Sequence, residues 1–122
     1  MDSSVFTELI QIIISLGILN VWLLRAGKAT DYRGGAAKTL KEEFAAYGLP
    51  VWVFFTVGTF KLMAALAIFI GIFIPGFTQP GAWVMCVLMI GALLMHLKVK
   101  DSIRKSVPAA LMLLMSLWLV LR

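Results

Sequence analysis

Hydrophobic positions form four long runs along the chain, roughly 5–24, 51–74, 81–97 and 107–121. Each run is near the length of about 20 residues that an α-helix needs to cross the hydrocarbon core of a membrane. The runs are continuously apolar and lack the alternation of lipid-facing and lumen-facing residues that a membrane β-barrel requires. The pattern therefore predicts an all-α membrane protein, an antiparallel four-transmembrane-helix bundle that forms a single domain over residues 1–122.

The connector between the first two runs has a helical pattern of its own. Its apolar residues recur at steps of three or four, and its charged residues occupy the other face. The apolar residues are Ala37, Leu40, Phe44 and Tyr47, and the charged ones are Lys38, Lys41, Glu42 and Glu43. This spacing predicts a short amphipathic helix between spans one and two, in which Lys38 and Glu42 can pair. We expect the helix to lie in the membrane interface or against the inner end of the bundle, and a partner-binding helix is the alternative.

Small residues and tryptophans mark how the spans pack and where they end. Ala67 and Gly71 form a pair of small residues four apart in span two, a spacing that allows close approach of two helices. The four tryptophans fall near the ends of spans, where indole rings favour the headgroup region. They are Trp22, Trp52, Trp83 and Trp118. We expect these side chains to be interfacial anchors.

The composition excludes a soluble domain and a disordered chain. Hydrophobic residues make up 61% of the sequence and charged residues only 14%, whereas an average soluble domain carries roughly 25% charged residues. The mean hydropathy is +0.98. The single cysteine, Cys86, lies in an apolar run, so the chain has no pair of cysteines for a disulfide or for dithiol redox chemistry. The role of Cys86 is left open by the sequence.

Basic residues are concentrated in two of the loops, and this distribution predicts the topology. The connectors after spans one and three together hold nine lysines and arginines, while Arg122 is the one basic side chain on the other side. The positive-inside rule therefore puts both loops in the cytoplasm and both termini outside. We expect a multi-pass protein of a bacterial inner membrane. Because the topology accounts for the net charge of +5, nucleic acid is not a predicted partner.

Ionisable residues within a span are costly, so each needs a physical reason. Counting about 1.5 Å per residue puts Lys61 close to the membrane midplane and His96 roughly 10 Å to its cytoplasmic side. Asn20 lies at a depth similar to His96, and the long Lys61 side chain can reach that level. We predict a polar cluster of Lys61, His96 and Asn20 inside the bundle. Glu8 is the counter-ion suggested by charge, although it lies roughly 10 Å from Lys61 in depth.

Two roles for this cluster remain open at the level of sequence. A lysine and a histidine can bind a carbonyl or an anion, which suits the head group of a quinone or of an acidic lipid. The alternative is a polar network that holds the helices together. The sequence has no CxxC, paired-histidine, phosphate-loop or nucleophile-elbow motif, so no catalytic or metal-binding residues are predicted. We do not expect the chain to be catalytic alone.

The spacing of these features resembles that of the DoxX-like family of small four-helix membrane proteins. The resemblance covers nearly the whole chain. It is carried by the segments NVWLLRAGKATDY, GLPVWVFFTVGTFKLMAALAIFIGIFIPGF and GALLMHLKVKDSIRKSVPAALMLLMSLWLVL. Its most specific features are Lys61 after Gly58 in span two and His96 before the short basic loop. Many members carry Glu where this chain has Lys61, so a carboxylate role does not carry over.

The resemblance implies a bundle similar in shape to vitamin K epoxide reductase, whose redox cysteines have no counterparts here. Some family members are linked to quinone-coupled oxidation of sulfur compounds as one subunit of an oxidoreductase, and a distant animal relative looks like an assembly chaperone for receptors. We therefore expect a non-catalytic subunit or assembly factor of a membrane complex, with a membrane protein partner or a second copy of the chain. The alternative is a quinone- or lipid-binding redox subunit that uses Lys61 and His96.

Overall fold

A computed structural model of the protein describes residues 3–24, 37 and 39–121. The predicted all-α membrane fold is confirmed, since four helices are long and apolar enough to span a membrane. The helices are α1 (Ser3–Leu19), α2 (Leu40–Ala46), α3 (Val51–Ile70), α4 (Thr78–Lys98) and α5 (Ile103–Leu121). A π-helical segment (Asn20–Leu24) continues α1, and a 3₁₀ turn (Pro75–Phe77) precedes α4. The second span is shorter than expected, because its helix ends at Ile70.

The four long helices pack as an antiparallel bundle in which α1 contacts α3 and α5, while α4 contacts α3 and α5. Side-chain contacts fix the directions. Trp118 Nε1, near the end of α5, donates to Thr7 Oγ1 near the start of α1 over 3.3 Å. Gln79, at the start of α4, donates to the Leu119 carbonyl near the end of α5 over 2.8 Å. Hereafter the α2 end is the end of the bundle at which α3 begins and α4 ends, and the other is the opposite end.

Helix α1 buries one stripe of residues and joins it to α3 by hydrogen bonds. The stripe repeats with the helical period and includes Ile10, Gln11, Ile14, Ser15 and Ile18. Gln11 Nε2 donates to the Ile68 carbonyl over 3.0 Å. Ser15 Oγ lies 2.7 Å from the Gln11 carbonyl and 3.2 Å from the Ala65 carbonyl, and its single proton can serve one of them at a time. Polar side chains thus lock α1 against α3 inside the bundle.

Small residues bring α3 and α4 close together. A Cβ at Gly81 would lie 3.0 Å from the Ala64 carbonyl oxygen and 3.1 Å from the Ala67 Cβ. Ala64, Ala65 and Ala82 are buried in the same contact. Ala67, predicted to allow close approach of two helices, does contact α4 at Gly81. A Cβ at Gly91, further along α4, would meet no atom within 4 Å. The tightest part of the α3–α4 contact is therefore near Gly81.

The amphipathic connector contains the short helix α2, which is shorter than its apolar pattern. Thr39 caps it, since the Thr39 hydroxyl accepts from Glu42 N and the Glu42 carboxylate accepts from Thr39 N, both over 3.1 Å. Phe44 and Tyr47 are buried at 8% and 3% exposure. The apolar face of α2 thus packs on the α2 end of the bundle. Lys38, the predicted partner of Glu42, lies outside the described residues.

The tryptophans do not all behave as anchors. Trp52 and Trp83 are 68% and 59% exposed at span ends, as interfacial anchors should be. Trp22 is only 9% exposed, and its ring stacks on Phe54 with the centroids 5.4 Å apart. The expectation of an anchor was therefore wrong for Trp22, which is part of the core at the α2 end.

Candidate functional site

Lys61 lies in the middle of α3 beside the ring of Trp22. Its Nζ is 5.2 Å from the centroid of the indole, within the range of a cation–π interaction. Gly58, one helical turn earlier, makes room for the indole, because a Cβ there would overlap the six-membered part of the Trp22 ring. The Gly58–Lys61 spacing thus seats an aromatic ring and a cation next to each other within the span.

The ammonium of Lys61 makes no hydrogen bond or ion pair with any residue that the structure describes. The side chain is half-buried, and its described interactions are the Trp22 ring and the more distant attraction of the Glu43 carboxylate on α2. An ammonium at membrane depth has lost water, and its three N–H groups each need an acceptor. Among the described residues, the Lys61 N–H groups therefore have no bonded acceptor, and the ammonium lies beside Trp22 near the end of the first span.

His96 is paired with Asp101 across the end of α4. The distance from His96 Nδ1 to Asp101 Oδ2 is 2.7 Å, and the two side chains are only 6% and 4% exposed. Asp101 Oδ1 also lies 3.7 Å from Lys105 Nζ on α5. In the neutral form of the ring, a carboxylate at Nδ1 favours the proton on that nitrogen and leaves Nε2 as an acceptor. Asp101 thus orients the imidazole and sets its hydrogen-bonding role.

Tyr47 connects the histidine to α2. Its ring packs edge-on to the His96 ring with the centroids 6.0 Å apart, and its hydroxyl donates to Glu43 Oε1 over 2.5 Å. Lys98 Nζ donates to the Tyr47 carbonyl over 2.7 Å and so ties the end of α2 to α4. His96, Tyr47 and Glu43 thus lie next to one another, the first two joined by a ring contact and the last two by a hydrogen bond.

The structure places the four predicted site residues in different surroundings. Lys61 contacts Trp22, whereas His96 contacts Asp101 and Tyr47, and no hydrogen bond among the described residues joins Lys61 to His96. Asn20 begins the π-helical segment and is exposed. Glu8 is exposed on α1. Among the described residues neither Asn20 nor Glu8 makes a hydrogen bond or ion pair with Lys61 or His96.

Sequence reasoning missed several partners of this site. Asp101 and Trp22 contact His96 and Lys61 directly, yet Asp101 follows the end of a helix and Trp22 was assigned to the interface. Glu43 and Tyr47 could have been paired from their spacing of four on one helix, which places them on the same face. No three His, Cys, Asp or Glu side chains within the described part of the chain are grouped so that they could hold a metal ion.

Comparison with known proteins assigns the chain to a family. The model of the DoxX-like family matches residues 14–120. The match includes Trp22, Lys61, His96 and Asp101, and it leaves out Glu8. No curated protein and no solved structure matches the chain. Because the family model covers nearly all of the sequence, the protein belongs to the DoxX-like family.

Proposed function

We propose that this DoxX-like protein binds the polar head of a quinone at the α2 end of its bundle, as a membrane subunit that is not catalytic alone. The observation that carries the proposal is the Lys61 ammonium, which lies in mid-span with no hydrogen-bond acceptor among the described residues. A lysine at this depth costs about 3 kcal/mol on insertion scales. A ligand oxygen that accepts from Lys61 Nζ would offset part of that cost.

The surroundings of Lys61 suit a flat ring with carbonyl groups. Trp22 stacks on Phe54, and Phe44 packs edge-on to Phe54 with the centroids 5.5 Å apart. Aromatic rings favour stacked and edge-on neighbours. An ammonium at the edge of such a cluster can donate to a carbonyl oxygen while the ring of the ligand contacts apolar side chains. Both properties are those of a quinone head.

The His96–Asp101 pair favours a quinone or quinol over a phosphate group. In the neutral form with its proton at Nδ1 towards Asp101, His96 has an acceptor at Nε2. A quinol hydroxyl can donate to that nitrogen, and Asp101 would stabilise the imidazolium if the proton moved. A lipid phosphodiester has no proton to donate. We therefore assign the quinone class, rather than an acidic lipid, to Lys61 and His96.

A second candidate is a subunit or assembly factor that binds no small molecule. The observation that favours it is the large apolar surface of α5, on which Leu111 and Leu114 are 53% and 64% exposed. A helix of a partner protein or of a second copy could cover this surface. In that case Lys61 would serve packing alone, and its replacement would change stability and function together.

A fluorescence titration tests the two candidates. In a variant with Trp52, Trp83 and Trp118 replaced by Phe, Trp22 is the sole reporter, and it lies against Lys61. We expect a short-chain benzoquinone to quench this fluorescence in nanodiscs. Lys61→Met should raise the quinone Kd at least tenfold, because a hydrogen bond to a charged group contributes about 1.5–3 kcal/mol.

The matched control is Lys100→Met, which removes an exposed lysine from the loop after α4. It should leave the Kd unchanged. Equal affinity of the Lys61→Met variant and its parent would contradict the proposal. Absence of quenching in the parent, combined with loss of stability in the variant, would support the second candidate.

A further inference from the structure

A cavity of about 390 Å³ lies between α2 and the start of α3. Its volume is within the range of small-molecule sites. Its walls are apolar side chains and its rim is polar. The apolar lining comprises Phe44, Ala45, Leu49, Val51 and Phe54, and the rim comprises Thr39, Lys41 and Glu42. Lys61 and Trp22 are not among its lining residues, so the cavity is a different site from the one at Lys61, although Phe44 and Phe54 also belong to the aromatic cluster beside Trp22.

The cavity borders the lipid-facing surface of the protein. Val51, which lines it, is 51% exposed, and its neighbours Trp52 and Phe55 on the first turns of α3 are 68% and 61% exposed. An exposed tryptophan at the end of a span is typical of the boundary between headgroups and acyl chains. Hydrocarbon from the bilayer can therefore enter the cavity from the side without crossing a polar surface.

The rim carries a cation, Lys41, and a carboxylate, Glu42, which is engaged in the cap of α2. The Glu42 carboxylate accepts from Thr39 N as part of the helix cap. Lys41 is exposed, and within the described part of the chain its ammonium makes no hydrogen bond or ion pair. A negatively charged group at the mouth of the cavity would thus find a free cation beside the apolar wall.

We infer that this cavity binds one anionic phospholipid, with an acyl chain against Phe44, Leu49 and Phe54 and the headgroup beside Lys41. The apolar wall supplies the affinity, and the lysine supplies the preference for an anionic headgroup. The lipid would brace α2 against α3. This site and its occupant do not depend on quinone binding at Lys61.

Native mass spectrometry of the protein released from nanodiscs tests the inference. The nanodiscs contain equal amounts of dioleoyl phosphatidylglycerol and dioleoyl phosphatidylcholine, which share their acyl chains. We expect the protein to retain one phosphatidylglycerol in about fivefold preference, since one lysine near the surface contributes about 1 kcal/mol. Lys41→Gln should reduce this preference towards one, and Lys100→Gln, at another exposed lysine, should not.

A pair of variants on α2 locates the lipid. Ala45 and Ala46 are both exposed on α2, but only Ala45 is among the residues that line the cavity. Ala45→Trp should fill the cavity and abolish retention of both lipids, whereas Ala46→Trp should retain them as the parent does. Circular dichroism and thermal unfolding of both variants show whether the fold is kept. Equal lipid retention in the two folded variants, or an unchanged preference in Lys41→Gln, would overturn the inference.

Discussion

The two ends of the bundle hold their helices together with different kinds of side chain. At the opposite end, two neutral glutamines do this work: Gln11 donates to the Ile68 carbonyl in the last turn of α3, and Gln79 donates to the Leu119 carbonyl in the last turn of α5. Carbonyls in a last helical turn have no partner within the helix, and in lipid they have no water either. The glutamines therefore complete the helix ends.

The α2 end uses charged and aromatic groups instead. His96 pairs with Asp101, Lys98 donates to the Tyr47 carbonyl, and Lys61 lies against Trp22 with no acceptor for its N–H groups among the described residues. Charged groups are more costly to bury than amides. The comparison teaches that polar residues inside a membrane bundle need not mark a site: the glutamine amides are satisfied by helix-end carbonyls, whereas the Lys61 ammonium has no bonded acceptor among the described residues, which is why we propose a ligand there.

The largest expected effect is the difference in activity between reporters placed at the two ends of the bundle, which shows which end faces the cytoplasm. The two basic loops lie at the α2 end, so the positive-inside rule predicts that the candidate site opens to the cytoplasmic side and that both termini are outside. A reporter that works only in the cytoplasm should be inactive when fused after Arg122 and active when inserted between α4 and α5. Full activity of the reporter fused after Arg122 would show that the predicted orientation is wrong, but it would not contradict the helix packing of the bundle.

The next largest effect is expected from breaking the buried pair at the α2 end. His96→Leu removes the imidazole that lies 2.7 Å from the Asp101 carboxylate, whose side chain is only 4% exposed. Removing one partner of a buried pair costs about 3 kcal/mol or more. We expect the free energy of unfolding, measured in mixed micelles, to fall by about that amount.

The double variant His96→Leu/Asp101→Leu provides the control for this pair. Because it removes both polar partners, it should be more stable than the sum of the single variants implies. Additive losses would show that the two side chains do not stabilise each other.

The helices and their order could be predicted from the sequence, because four apolar runs of the right length leave little choice in lipid. The partners at the α2 end could not. Trp22 is at the end of a span, a position typical of an anchor, and only the missing side chain of Gly58 lets its ring turn inward. Asp101 meets His96 across the turn that ends α4, where the backbone of Lys100 has a positive φ of 57°, and periodicity cannot foresee such a turn.

A smaller effect is expected where α3 and α4 pack most closely. Gly81→Val would push a branched side chain against the Ala64 carbonyl and Ile68, and overpacking costs about 1–3 kcal/mol. Gly91→Val is the matched control on the same helix, because a Cβ there meets no atom within 4 Å. We expect a lower unfolding free energy for the first variant alone. Equal losses of unfolding free energy in both variants would mean that the effect of valine on α4 itself, and not the contact with α3, causes the loss.

The smallest effect should come from the neutral hydrogen bonds of the opposite end. Gln11→Met keeps the length of the side chain but removes the amide that donates to the Ile68 carbonyl and, over 3.1 Å, to Thr78 Oγ1. Interhelical hydrogen bonds in membranes average about 0.6 kcal/mol, with a maximum near 1.7. We expect the unfolding free energy to fall by an amount in the upper half of that range. The backbone N–H of Ile72, four residues after Ile68, donates to the Phe69 carbonyl and does not replace the lost amide.

Thr59→Val serves as the control for this last prediction, since the exposed Thr59 hydroxyl bonds only to Phe55 of its own helix. Its unfolding free energy should match that of the parent. Quinone binding should be unchanged in both variants, because Gln11 is near the far end of α3 from Trp22 and Phe54. If Gln11→Met weakened quinone binding as strongly as Lys61→Met, the two ends would be coupled, and the division between a structural end and a binding end would fail.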